Sequence, residues 1–148
     1  MWRPFAIVLV AFVLTGCVDQ ASLDREQIAE RSGSNAWTLG YRISETDGEC
    51  IALSIETGAG ILGHERCTRT GDPVAWYLDG PNGIRYTWGR INEVQVTVEQ
   101  DTATLVLLFP SVEGTSTRFV TESRQDAATP VITFLADGLE IARVRPTE

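Results

Sequence analysis

The sequence has no lysine, only one histidine and only one methionine, and these shortages narrow the classes of function that fit it. All twelve basic residues are arginines, which indicates a bias in codon usage more than a chemical requirement of the protein. Against twenty acidic residues they give a net charge of −8. A chain this acidic is poorly suited to phosphate backbones or anionic lipid headgroups, so nucleic acid is not an expected partner.

The presence of a single histidine, His64, limits the metal sites and catalytic triads that this chain can form. A zinc-protease helix needs a second histidine four residues later, where this chain has Thr68. A hydrolytic triad would need Asp72 or Glu65 as the orienting carboxylate, and no Gly-x-Ser-x-Gly nucleophile elbow is present. We expect His64 to be structural and predict no catalytic residue, metal or cofactor. A small envelope hydrolase that uses His64 stays open as an alternative.

No apolar run is long enough to cross a bilayer by itself. The run from Phe5 to Leu14 has ten residues, whereas a membrane-spanning helix needs roughly 20. It follows the basic residue Arg3 and ends in the small residues Thr15 and Gly16. This order of positive charge, apolar core and small residues is typical of an export signal.

Leu14-Thr15-Gly16-Cys17 resembles the lipobox of bacterial lipoproteins. The resemblance covers the first 17 residues and implies that residues 1–16 are a signal peptide, that Cys17 receives a diacylglycerol, and that its new amino group takes an acyl chain such as palmitate. Two or more acyl chains hold a protein stably at a membrane surface. The resemblance therefore implies an extracytoplasmic protein anchored to the bacterial cell membrane, or to the outer membrane if the host has one.

Cys50 and Cys67 are the two cysteines left after Cys17, and an exported chain favours a disulfide between them. If residues 58–59 form a two-residue turn, the antiparallel register places Cys50 opposite Cys67. The same register pairs Ile55 with Leu62, so a single alignment satisfies both the bridge and an apolar pair.

From Trp37 onward, apolar residues recur with a period of two, which predicts strands with one buried face. Strands are expected over residues 37–44, 50–56, 61–67, 74–78, 84–91, 94–99, 104–109, 118–121, 131–136 and 139–144. This pattern predicts an all-β domain, a single antiparallel β-sandwich that is Ig-like or related, with a small β-barrel as the alternative.

Three details of the strand pattern are specific enough to test. The run 104–109 is apolar on both faces, which predicts a central strand, whereas 118–121 reads as a weaker one. Asp137-Gly138 predicts a type I′ hairpin turn, because both central residues of that turn need positive φ. Residues 17–35 are expected to be the lipidated cysteine and a polar tether, and 36–148 the β-domain.

Trp76, Tyr86 and Trp88 form the candidate binding surface of the domain. Exposed rings stack on sugars or on a protein partner, whereas the alternative places them in the core. Arg85 and Arg90 flank the rings and fit either a role at that surface or solvated strand edges.

The function expected from these features is a non-catalytic binding or scaffolding role at the bacterial cell envelope. The lipid on Cys17 would join the protein to the membrane, and an envelope protein or a glycan would be its partner. A small-ligand carrier is a further alternative, which requires an unfilled apolar interior.

Overall fold

The computed structural model describes residues 26–33, 36–126, 128 and 130–148. About two thirds of these residues are in β-strands and the only helical segment among them is one short 3-10 turn at Pro81–Gly83, so the predicted all-β class is confirmed. The strands in chain order are β1 (Glu26–Arg31), β2 (Trp37–Ser44), β3 (Gly48–Thr57), β4 (Gly60–Thr68), β5 (Val74–Asp79), β6 (Ile84–Ile91), β7 (Thr97–Glu99), β8 (Ala103–Pro110), β9 (Thr117–Arg124), β10 (Ile132–Ala136) and β11 (Leu139–Val144).

The strands form three open sheets. Sheet A has the spatial order β1-β2-β3-β4, sheet B has β5-β6-β9-β8, and sheet C has β11-β10-β7. Neighbouring strands within every sheet are antiparallel. The fold is therefore a sandwich of open sheets, as predicted, but with three sheets where the Ig-like pattern has two.

Sheet B is the middle layer, because it contributes side chains to a core on each of its faces. Along β9, the adjacent residues Phe119 and Val120 point to opposite sides, as alternation in a strand requires. Val120 packs with Trp37 and Trp88 between sheets A and B. Phe119 packs edge-to-face on Phe134 between sheets B and C, with ring centroids 5.5 Å apart. Strands β6 and β9 are consequently buried along almost their whole length.

The β3–β4 hairpin has the register predicted from the sequence. Residues 58–59 form the turn, Ile55 lies opposite Leu62, and Cys50 lies opposite Cys67. The two cysteines form the predicted disulfide. The bridge therefore ties together two neighbouring strands of sheet A.

The β10–β11 turn also matches its prediction. Asp137 has φ of 51° and Gly138 has φ of 77°. Both values are positive, as the type I′ turn requires, and the flanking strands pair from Ala136 with Leu139 onward.

Strand β1 corrects the predicted boundary between tether and domain. Residues 26–31 were expected to belong to the polar tether, but Glu26–Arg31 pairs with β2 as an edge strand of sheet A. The pattern was missed because only Ile28 and Ala29 of β1 pack against the core. The β-domain therefore includes residues before position 36.

Strands β8 and β9 exchange the positions that hydrophobicity predicted for them. The apolar strand β8 is at the edge of sheet B, and the polar strand β9 lies between β6 and β8. β8 is apolar on both faces because Leu107 packs into the core beside sheet A and Val106 into the core beside sheet C. The charged residues Arg118 and Glu122 of β9 are buried because they have partners on sheet A, as described below.

The expected signal peptide (residues 1–16) and the lipidation site Cys17 lie outside the described residues. Among the residues that are described, no helix is long and apolar enough to cross a membrane.

Candidate functional site

The candidate site lies at one end of the interface between sheets A and B. In β3 and β6 the inward-facing row of side chains is an apolar series that ends in a charged residue, and in β9 a charged residue follows Val120. In β3 the row from Ile55 to Ile51 ends at Glu49, and in β6 the row through Trp88 ends at Arg90. In β9 the residue after Val120 in this row is Arg118. Period two therefore places all three charges on the buried faces of their strands.

Arg90 and Arg118 are directly opposite each other on β6 and β9. Glu49, from the facing sheet, bridges them. Its Oε2 accepts a hydrogen bond from Arg90 Nη1, and its Oε1 accepts bonds from Arg118 Nε, at 2.9 Å, and Arg118 Nη2. All three residues are less than a tenth exposed.

The electrostatics of this cluster leave an excess of positive charge. Like charges directly opposite each other in a sheet are destabilising, and burial increases the cost. Glu49 neutralises one of the two guanidinium groups. The buried trio therefore has one uncompensated positive charge, in a chain whose net charge is −8.

The two guanidinium groups also have more donors than their protein partners satisfy. Arg90 Nη2 donates to Asn92 Oδ1, but Arg90 Nε is buried and has no hydrogen-bond partner. Arg118 uses Nε and Nη2 for Glu49, and its Nη1 donates to none of the described residues. Its guanidinium carbon lies 4.3 Å from the ring centroid of Tyr41, a cation–π contact that fixes the plane of the group.

Tyr41 ties the edge of sheet A to this site. Its hydroxyl donates to Glu26 Oε2 at 2.8 Å, and this hydrogen bond raises the pKa of the phenol, with burial adding to the effect and Arg118 opposing it.

The site opens into a cleft with two arms, which we call the arginine cleft. Its polar arm has a volume of about 300 Å³ and is lined by Tyr41, Glu49, Arg90, Asn92, Ser116 and Arg118, among others. Its mixed arm has a volume of about 380 Å³ and includes the apolar side chains of Ile28, Phe109, Pro110 and Val112. Tyr41, Glu113 and Arg118 line both arms, so the two arms adjoin each other.

A second buried carboxylate occupies the opposite end of the same interface. Glu122 accepts hydrogen bonds from Arg31 Nη1 and from Trp37 Nε1, the latter at 3.3 Å. The Arg31 bond is the main reason that the pKa of this arginine is raised. Arg31 belongs to β1, so the contact fastens that edge strand to sheet B.

The structure decides between the two readings of the aromatic residues in favour of the core, so they do not form the candidate binding surface. Tyr86 and Trp88 are fully buried and Trp76 is 8% exposed, so the rings pack in the core between sheets A and B. Arg85 and Arg90 are not solvated edge charges either. Both are about nine-tenths buried, and Arg85 donates to Asp79 at 2.6 Å.

His64 lies opposite Leu53 and is half-buried, as the register predicted. Its Nδ1 is 3.4 Å from the Arg66 guanidinium, and neither a serine nor a carboxylate of the described residues is bonded to the ring. The suggested orienting residue Glu65 is instead held by Arg42, with a shortest distance of 2.7 Å. Glu65 also lies close to Cys50 and Cys67, but the sulfurs of the disulfide are not available as thiolate ligands.

Glu49 and Arg118 are the site residues that sequence reasoning missed. For Glu49 a usable signal was present, because it continues the period-two apolar row of Ile55, Leu53 and Ile51 by one further step. Arg118 has no such signal, because its row in β9 runs through Val120 to the charged residue Glu122.

Fold and site together define an all-β protein of three stacked sheets, with a buried arginine–glutamate–arginine cluster open to a cleft. No family model, curated protein or solved structure matches this chain in comparisons with known proteins. The functional argument therefore rests on the chemistry of the chain itself.

Proposed function

We propose that the chain is a lipid-anchored extracytoplasmic protein of the bacterial cell envelope whose β-domain has a non-catalytic binding role. The anchoring part of the proposal is supported by the lipobox sequence that ends at Cys17. The Cys50–Cys67 disulfide supports export independently, because such bonds persist in oxidising compartments.

The binding role is supported most directly by the composition of the arginine cleft. Its functional groups are two buried guanidinium groups, a buried carboxylate and a half-buried phenol ring, which orient and neutralise a ligand. The alternative hydrolase was expected to hold His64 beside a serine or a carboxylate, and the bonded neighbour of His64 is Arg66. The carrier alternative requires an unfilled interior, whereas large side chains such as Trp37, Tyr86 and Trp88 fill the core between sheets A and B.

The anchoring is tested by Cys17→Ser with cell fractionation and mass spectrometry of the purified chain. We expect the wild type to carry diacylglycerol mass and to sediment with membranes, and the variant to lose the lipid and to be released or stalled. The matched control is Cys50→Ser/Cys67→Ser, which removes the other two cysteines and should keep the lipid. Membrane association that persists in Cys17→Ser, with no lipid on the wild type, would contradict the proposal.

The non-catalytic role is tested with chromogenic ester and glycoside substrates. We expect no turnover above the rate in buffer for the wild type or for His64→Ala. Turnover by the wild type that His64→Ala abolishes, and that Glu113→Gln leaves unchanged, would replace the binding role with the hydrolase.

A further inference from the structure

The polar arm of the arginine cleft is short of one negative charge. Glu49 is the single buried carboxylate between Arg90 and Arg118, and the trio has a net charge of +1. Glu113 lines the mouth of the cleft, but it is exposed and forms no ion pair with the residues that the structure describes. Water screens its charge, so it compensates the buried arginines weakly.

The same arm is short of acceptor atoms. Arg118 Nη1 donates to none of the residues that the structure describes, and Arg118 lies on the boundary between the two arms. Its ring contact with Tyr41 holds the guanidinium plane in place before any ligand arrives. A partly desolvated, oriented guanidinium forms strong charge-assisted hydrogen bonds with an oxyanion, because both the charge and the geometry are already in place.

The mixed arm provides a different kind of surface next to these donors. Ile28 and Phe109 pack against the core beneath it, and Val112 projects fully exposed from the β8–β9 loop. Cavities of this size suit part of a small organic molecule. A ligand that fits both arms has an anionic end and an apolar end.

We propose that the arginine cleft binds a small organic monocarboxylate, with its carboxylate on Arg118 beside Glu49 and its apolar tail in the mixed arm. This inference rests on the proposed binding role and adds the chemical class of the ligand. One carboxylate neutralises the excess charge of the buried trio and provides the missing acceptor atoms.

A singly charged ligand fits better than a phosphate or an anionic surface. The buried excess is one charge, and Glu26 and Glu113 at the rim repel a second negative charge. The net charge of −8 opposes the approach of polyanions over longer distances. The site therefore selects for a monoanion through local contacts.

The test is a titration of the purified, isotope-labelled full chain with hexanoate, and with hexanamide as the uncharged match, followed by nuclear magnetic resonance. Hexanoate should shift the Nε–H signals of Arg90 and Arg118 and the amide of Val112 in a saturable manner. Hexanamide should not. The Nε–H signal of Arg143, an exposed arginine on β11, provides the control within the same molecule.

Two variants separate binding at this site from general hydrophobic attachment. Arg118→Lys keeps the charge but loses the planar fork, and should weaken hexanoate binding about tenfold or more. Glu113→Gln removes a repelling rim charge without touching the buried trio, and should strengthen binding several-fold at low salt. Glu140→Gln on sheet C is the matched control and should change nothing.

Equal affinity for hexanoate and hexanamide would overturn the ligand class, as would the absence of a saturable shift. Glu113→Gln decides the question if Arg118→Lys proves unfolded by circular dichroism, because weaker or unchanged binding in that variant contradicts the proposed electrostatics. Fractionation of Cys17→Ser does not depend on any ligand. A failure of the carboxylate proposal is therefore distinguishable from a failure of the envelope role.

Discussion

Glu49 and Glu122 are buried carboxylates at opposite ends of the interface between sheets A and B. Glu49 lies between Arg90 and Arg118, and Glu122 accepts bonds from Arg31 and from the Trp37 indole. Buried ion pairs contribute little net stability when complete, because desolvation offsets the attraction. They cost several kcal/mol when one partner is removed. These residues therefore determine how sheets A and B are positioned against each other more than they contribute to the stability of the packed layers.

Glu49→Gln tests the energetic role of the cluster. The amide keeps the shape of the side chain but leaves Arg90 and Arg118 facing each other with no compensating charge, so we expect a loss of about 3 kcal/mol in the free energy of unfolding. Urea denaturation measures the change. Glu65→Gln, at a part-exposed pair with Arg42, should lose no more than about 1 kcal/mol. Equal losses of stability in the two variants would contradict the conclusion that Glu49 compensates two buried arginines.

Tyr86→Phe tests a buried hydroxyl that has no hydrogen-bond partner in the structure. Its removal should leave stability at pH 7 unchanged or raise it by up to about 1 kcal/mol. Tyr77→Phe is the control, because the Tyr77 hydroxyl donates to Glu148 at 3.0 Å and its loss should bring no gain. A clear loss in Tyr86→Phe would show that the hydroxyl has a partner, such as a bound water.

The same residue gives a prediction for alkaline pH. Burial raises the pKa of Tyr86, so the folded state keeps its proton at pH values where an unfolded tyrosine, with a pKa of about 10, has lost it. This contribution to stability is complete below about pH 10 and is lost as the pH rises through the folded pKa. In urea denaturation across this range, the wild type should therefore lose stability more steeply than Tyr86→Phe. Parallel curves would contradict this assignment.

At the scale of elements, β8 and β9 show how far hydrophobicity predicts a position in a sheet. β9 carries Arg118, Thr121 and Glu122, yet it is the buried central strand, because each of these side chains bonds to a residue from outside the strand. β8 is apolar because it faces a core on each side, not because it is central. A sequence shows which residues are polar but not which residues they bond to in the folded protein. The central position was therefore predicted for β8, whereas β9 occupies it.

Strand β1 is attached to the middle layer by the Arg31–Glu122 ion pair, in addition to the packing of Ile28 and Ala29 against the core. Arg31→Gln removes the ion pair with Glu122, and we expect faster amide hydrogen exchange along β1 and a loss of about 1 kcal/mol in the free energy of unfolding, because the Arg31 side chain is 40% exposed and water screens the pair. Glu26→Gln, at the exposed end of β1, is the matched control. Unchanged exchange in Arg31→Gln would mean that backbone pairing with β2 and apolar packing hold the strand without the ion pair.

At the scale of the whole molecule, the disulfide belongs to the outer layer and lies within a single hairpin. It closes a loop with a sequence separation of 17, for which chain-entropy models give a stabilisation of about 3 kcal/mol. The bridge ties β3, which carries Glu49, to β4. Stability and the position of the arginine cluster are therefore linked to the redox state of the compartment.

Cys50→Ala/Cys67→Ala should lower the free energy of unfolding by about 3 kcal/mol. Dithiothreitol should lower the stability of the wild type by a similar amount and leave the double variant unchanged, because Cys17 is not part of the bridge. Thermal denaturation with and without the reductant measures both effects. A wild type that is insensitive to complete reduction would contradict a stabilising role.

The sequence by itself determined the local features: the strand periods, the β3–β4 register with its disulfide, and the Asp137-Gly138 turn. Each depends on residues close together along the chain. Only the tertiary structure decided which strand is central, that Trp76, Tyr86 and Trp88 lie in the core, and that Glu49 meets Arg90 and Arg118. These contacts join residues 41 and 69 positions apart in the sequence. A charge at a strand end looks solvated until the facing layer is known, because burial and pairing are properties of the packed sheets.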